Sequence, residues 1–263
     1  MAITKVKKNS RICTNIEKFI QSFPNFMKMQ FKKDIDIIDV IKELEIPTKI
    51  NDYINFALKN ISKKIKLYDN NDYIAIKNKL FDYILIKLYD KLYPAYPGEA
   101  DINILKNCYK LSWCEFKHFI KNKQNKSNTN FDIILDDINK HFNQLEIEKS
   151  PRKKMLAINK IFKTIEKVLQ FNEEINKSGS ADDITAILRY LFVRIHPKKV
   201  FIDIEYIKLF INENNGFNQY QLTHLFAVCE FFQNVSYQIL NGVTEQEFNE
   251  KCQKSIIKLS KIK

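Results

Sequence analysis

Asp182 and Asp183 are the residues of this chain whose types and placing first suggest chemistry. They stand together at the start of an apolar-periodic stretch, just after Ser180. As an acid/base pair they fail. Adjacent side chains on a helix diverge by about 100°, so the two carboxylates cannot flank one scissile bond. The chain's four histidines are His118, His141, His196 and His224, and none accompanies the acids at local spacing. Hydrolase chemistry therefore has little support. The plainer reading is that first-turn carboxylates stabilise a helix dipole, by about 0.3–1 kcal/mol each.

A second pair is Tyr220 and Thr223. Three residues apart on a helix, they share a face distinct from the stripe of Leu222, Leu225 and Cys229. An aromatic body beside a hydroxyl suits a protein interface. A peripheral tyrosine packed on a neighbouring helix has the same pattern. Both readings stay open on residue type alone.

Other chemistries find less. The five cysteines, Cys13, Cys108, Cys114, Cys229 and Cys252, form no C-x-x-C pair, and reduced thiols are expected. Cys108, Cys114 and His118 lack standard zinc spacing and a fourth ligand, so no metal is expected. With 4 glycines in 263 residues there is no Walker or Rossmann nucleotide loop, and no cofactor is expected. The net charge of +12 is compatible with nucleic acid, anionic lipid or an acidic partner. Lysine, asparagine and isoleucine crowd the whole sequence, however, so much of that charge reads as solvated helix faces. The basic residues scatter rather than line one helix, and arginines are few, which weighs against nucleic acid. The first ten residues carry no apolar run, no stretch reaches the roughly 18 apolar residues of a membrane span, and Ala2 in place of glycine gives no myristoylation signal. A cytoplasmic protein is expected.

The elements that must position these residues read as helices throughout. Apolar residues recur three and four apart over Tyr73 to Leu92 and Ile102 to Ile120, and prolines 24, 47, 94, 97, 151 and 197 punctuate helix ends. The polar run Asn122 to Asn130 is the best internal loop. It divides an N-terminal helical half, residues 1–130, from a C-terminal one, 131–263. In the latter, Ser150-Pro151 starts a helix burying Met155, Ile158, Phe162, Ile165 and Leu169. After a loop at Ser178, Ser180 and Asp183 form a capping-box-like start to a central helix with Ile184, Ile187, Leu188, Leu191, Phe192 and Ile195 inward. Pro197 ends it. Val200 to Phe210 follows, with Ile204, Ile207 and Phe210 inward, and then a turn at Asn214-Asn215-Gly216. A helix from Tyr220 buries Leu222, Leu225, Phe226, Cys229 and Phe232. Thr244 to Glu247 caps a last helix with Phe248, Cys252, Ile256 and Leu259.

In this order the features resemble the vacuolar-protein-sorting-nine (VPS-nine) family. The Ser150-Pro151-Arg152-Lys153-Lys154 start is similar to the family's Ser-Pro-x-x-Lys, and Ser180-Ala181-Asp182-Asp183 to its Ala-Asp-acidic signature. Tyr190, Arg194 and Pro197, then Gly216, Tyr220, Thr223 and Phe231, fall at the family's spacing. Leu92-Tyr93-Pro94, Asp101 and Leu111 look like the end of the helical bundle that precedes the domain. The resemblance runs from Phe131 to about Phe248. It implies an all-α fold, an N-terminal helical bundle packed on a C-terminal multi-helix domain. It also implies a guanine-nucleotide exchange factor for an early-endosomal, Rab-five class small GTPase, serving endocytic vesicle trafficking without covalent catalysis. The family's aspartate finger matches Asp182. The GTPase contacts match Tyr220 and Thr223, with Asp183 and Ala186 beside them. The partner is then a Rab-family GTPase in its GDP-bound and nucleotide-free states, and peripheral recruitment to early endosomes is compatible. Four positions depart from the family pattern: Ala186 replaces a proline, Phe217 an acid, Gln221 an aromatic residue and His224 an asparagine. A Rab-binding scaffold of weak exchange, and a basic helical nucleic-acid-binding protein, are the competing readings.

Overall fold

The apolar spacing of three and four that runs along the chain folds as helices that each bury one face. A computed structural model describes residues 10–23, 37–63, 70–94, 96–120, 131–171, 180–211 and 216–260. Among these the fold is all-α, without a strand. The sequence-predicted loop at Asn122 to Asn130, and Pro24, Ser178, Asn214 and Asn215, lie outside the described residues. The helices are α1 (Ser10–Ser22), α2 (Ile37–Glu43), α3 (Ile46–Ser62), α4 (Asn70–Leu92), α5 (Glu99–Lys110), α6 (Leu135–Ile147), α7 (Pro151–Phe171), α8 (Ala181–Ile195), α9 (Val200–Phe210), α10 (Gly216–Gln233) and α11 (Glu245–Ser260). No helix among the described residues is long and apolar enough to cross a membrane.

The chain divides into two compact units. One comprises residues 1–96 with 149–152 and 205–212. Here Ile46, Ile50, Ile54, Leu58 and Ile61 of α3 face inward, as do Ile76, Leu80, Ile84, Leu88 and Leu92 of α4. Pro47 sits in the first turn of α3, where its missing N–H costs nothing. Lys91 donates to the carbonyls of Ile20 (3.0 Å) and Phe23 (2.8 Å), placing a cation at the C-terminal end of α1. Ser150 Oγ donates to Asp82, and the Tyr206 ring meets Tyr89 and Tyr93 edge-on.

The other unit comprises residues 97–148, 153–204 and 213–263. The stretch 97–120, which the sequence pattern joins to the N-terminal half, is grouped here. Helix α8 is its centre, burying Ile184, Ala186, Ile187, Leu188, Leu191 and Phe192. It packs against α5, α6 and α10. The expected stripe of α7, Met155 to Leu169, is buried throughout. At its start Lys154 is fully buried. Its ammonium pairs with Asp203 Oδ1 at 2.7 Å and donates to the Leu145 carbonyl, also at 2.7 Å.

Three local expectations are corrected. The helix over Ile102–Ile120 stops at Lys110. Beyond it, the Arg194 guanidinium takes the carbonyls of Ser112 (2.8 Å) and Cys114 (3.0 Å), which a continuing helix would have used itself. Gly216 opens α10 rather than closing a turn. Thr244 accepts from the Glu247 N–H at 3.2 Å, and the Glu247 carboxylate pairs with Lys251 at 2.6 Å while also feeling the Thr244 N–H, so the expected cap stands. On α11, Ile256 is exposed and Ser255 is buried in its stead.

Two buried polar groups carry predictions. Asp101 accepts the N–H groups of Phe201 (2.8 Å) and Ile202 (3.2 Å), capping α9 from another helix. Burial pushes its pKa up to about 7 from 3.8, against the pull of those two N–H groups, with Asp203 adding to the rise. The native state thus holds this proton more tightly than the unfolded chain, and ionisation costs it stability as pH climbs between those values. For Asp101→Asn, the melting temperature relative to the parent should shift in the variant's favour between about pH 4 and about pH 8. A difference independent of pH would contradict this.

Gln221, on α10, is fully buried, and neither amide atom meets a hydrogen-bond partner among the described residues. Desolvated and unpaired, such a group costs about 1–3 kcal/mol. Gln221→Leu should stabilise the fold by an amount of that order, read from urea denaturation; a less stable variant would contradict it.

Candidate functional site

The N-terminal tip of α8 is built by a cap. Ser180 Oγ accepts the Asp183 N–H (3.2 Å), and Asp183 Oδ2 takes both the Ser180 N–H (2.9 Å) and its hydroxyl (2.8 Å). The reciprocal box read from the sequence is therefore formed. It occupies the Asp183 carboxylate. Asp182 is left exposed, and no described residue makes a hydrogen bond or ion pair to it. One turn along, Ala186 is 4% exposed, so the chain itself covers its methyl group.

Helix α10 runs against α8 and brings the second set of residues. Tyr220 is 39% exposed, with Phe217 one turn before it at 44%. Thr223 is exposed, and its hydroxyl donates back to the Gln219 carbonyl at 2.8 Å. Between the helices lies His224, a residue that the sequence marked only as a departure. Its Nδ1 is 2.9 Å from Thr185 Oγ1 on α8, and its ring meets the Tyr220 ring edge-to-face with centroids 4.3 Å apart. Burial lowers the His224 pKa, while the Asp182 charge pulls it up. Imidazole is thus kept neutral at physiological pH, close enough to Asp182 to feel its field.

Arg189, seven residues after Asp182 and so on the same side of α8, escaped the sequence reading. Its guanidinium lies 4.2 Å over the Phe231 ring, and its buried Nε has no acceptor among the described residues. Burial lowers its pKa and Asp182 opposes that. The result is one carboxylate at a helix tip, with two nitrogen-bearing side chains behind it and an aromatic ring and a hydroxyl beside it. Spacing alone could have flagged Arg189. Nothing local could have flagged His224.

Other family-spaced residues are structural. The Tyr190 hydroxyl donates to Asp132 Oδ1 at 2.7 Å, and Arg194 lies over the Tyr190 ring at 4.8 Å. Cys108, Cys114, Cys229 and Cys252 are buried free thiols. Burial raises Cys108 and Cys114 well above the ordinary thiol range, so both stay protonated and unreactive.

The unit is an all-helical domain with an exposed carboxylate at the tip of its central helix. Residues 135–237 match the Vacuolar sorting protein 9 (VPS9) domain family. The Vacuolar protein sorting-associated protein vps901 of Schizosaccharomyces pombe is 26% identical over 167 residues, which cover 63% of this chain and 28% of that protein. Over residues 135–237 the chain is thus similar to that domain family.

Proposed function

We propose that this chain is a guanine-nucleotide exchange factor for an early-endosomal, Rab-five class GTPase in endocytic vesicle trafficking, with Asp182 as its finger. The observation that carries this reading is the exposure of Asp182 at the tip of the stiff helix α8, while its neighbour Asp183 is spent on the cap.

The mechanism follows from charge. A GTPase holds its nucleotide through a P-loop lysine and Mg²⁺, which neutralise the phosphates. Affinities approaching picomolar correspond to about 16 kcal/mol, so unaided release is slow. A carboxylate presented on a preorganised helix end can pair with that lysine, exclude Mg²⁺ and repel the β-phosphate. Tyr220 and Thr223 hold the switch segments away meanwhile. Exchange then requires tighter binding to the nucleotide-free GTPase than to its GDP-bound form. No covalent bond is made or broken, and recruitment to the endosomal surface is peripheral.

The replacement of the family proline by Ala186, a smaller residue, favours a second reading, a Rab-binding scaffold that exchanges weakly. Nucleotide state separates the two. Co-elution of the chain with nucleotide-stripped Rab-five class GTPase, dispersed by added GTP or GDP, is the expected result. A complex indifferent to nucleotide would favour the scaffold, and no complex with any Rab would remove both.

A further inference from the structure

We propose that His224 is a positioning residue, clamping the Tyr220 ring to the helix that carries Asp182 through its contact with Thr185. This role rests on the exchange reading above. The imidazole is buried between α8 and α10 and makes one directed contact to each side: Thr185 Oγ1 at 2.9 Å and the Tyr220 ring at 4.3 Å. Thr185 lies three residues after Asp182 and Tyr220 four before His224, so both contacted residues face the site. Two surface features on separate helices thereby share one support.

The hydrogen bonding fixes which proton matters. Thr185 Oγ1 also lies 2.9 Å from the Ala181 carbonyl and donates to it. A hydroxyl has one proton, so Thr185 must accept from Nδ1–H of His224. The neutral ring is then the Nδ1–H tautomer, with Nε2 bare. Asparagine carries an amide N–H at about the same reach from its backbone as Nδ1 and can make the same bond without titrating.

Titration gives the position a signature. The groups around the ring are Asp182 from α8, the Tyr220 hydroxyl from its own helix, and from α7 the Phe162 ring at 6.2 Å and Glu166, whose charge acts on Tyr220. Asp183 is held by Ser180. Of these, only Asp182 acts directly on the imidazole by charge. A proton added at Nε2 therefore places a cation behind the finger carboxylate, which is attracted back to it and neutralised where a partner needs it negative. Stimulated exchange should fall as pH drops through and below the ordinary histidine range.

Two measurements test this. In the free chain, long-range ¹⁵N spectra of the histidine ring should show the Nδ1–H tautomer at neutral pH, altered by Thr185→Val. An Nε2–H ring, or one unaffected by that substitution, overturns the clamp whatever the chain does to a GTPase. In GDP release from a Rab-five class GTPase, with unstimulated release subtracted at each pH, His224→Ala should be slowed about fivefold, the worth of one neutral hydrogen bond. His224→Asn should recover most of that loss and lack the parent's acid decline. Full activity in His224→Ala, or an acid decline preserved in His224→Asn, overturns the proposal. A parent chain inactive on every GTPase overturns the role together with the exchange reading, and the tautomer measurement distinguishes that failure from failure of the contact.

Discussion

Asp182→Ala should lose most stimulated GDP release, by about 30-fold to several-thousand-fold, the cost of removing one partner of a buried charged contact at an interface. The fold should survive. Ser180 and Asp183 keep the cap of α8 without help from residue 182, and an exposed first-turn carboxylate contributes only about 0.3–1 kcal/mol to its helix. Asp182→Asn separates charge from shape. It keeps the size of the side chain and should be nearly as inactive, because an amide neither neutralises a P-loop lysine nor repels a phosphate. Observed rate constants against exchange-factor concentration, with circular-dichroism melts of each variant, are the measurement. A variant with parental rates would remove Asp182 from the mechanism.

Lys154→Met should unfold or severely weaken the protein. Its ammonium, Asp203 and the Leu145 carbonyl form a buried cluster. Breaking a buried pair from one side costs about 3–5 kcal/mol, because it strands a charge in the interior. Typical domains have only about 5–15 kcal/mol in total. The double variant Lys154→Met with Asp203→Leu should regain much of the loss, since two apolar side chains leave no stranded charge. Urea denaturation of the single and double variants measures both effects. Additive losses in the double variant would contradict a coupled pair.

What the sequence made legible follows the range of the interactions involved. The stripe from Met155 to Leu169 and the inward residues of α8 are set by spacing within one helix, and periodicity found them. The Ser180–Asp183 box is likewise local, three residues apart, and its chemistry is fixed by residue type. Lys154 reads only as the lysine of a family-like helix start, and only the fold brings Asp203, 49 positions away, to its ammonium. The same holds for Arg194, whose fork on Ser112 and Cys114 ends a helix that apolar spacing alone carried to Ile120. In the site, the exposure of Asp182 and Tyr220 could be anticipated from the faces they occupy. The use of His224 as a bridge could not, because Thr185 stands 39 residues away on a different helix. Gln221 was noted only as a departure from the family pattern, and its unpaired burial appears only once α10 is packed.

On the exchange reading proposed above, this chain empties the nucleotide site of a small GTPase. Release of fluorescently labelled GDP from a panel of purified Rab proteins, followed with rising concentrations of the chain, tests it directly. Acceleration that is strongest for the Rab-five class and absent with Asp182→Ala is the predicted result. Unaltered release from every Rab, under conditions where EDTA frees the label at once, would contradict it.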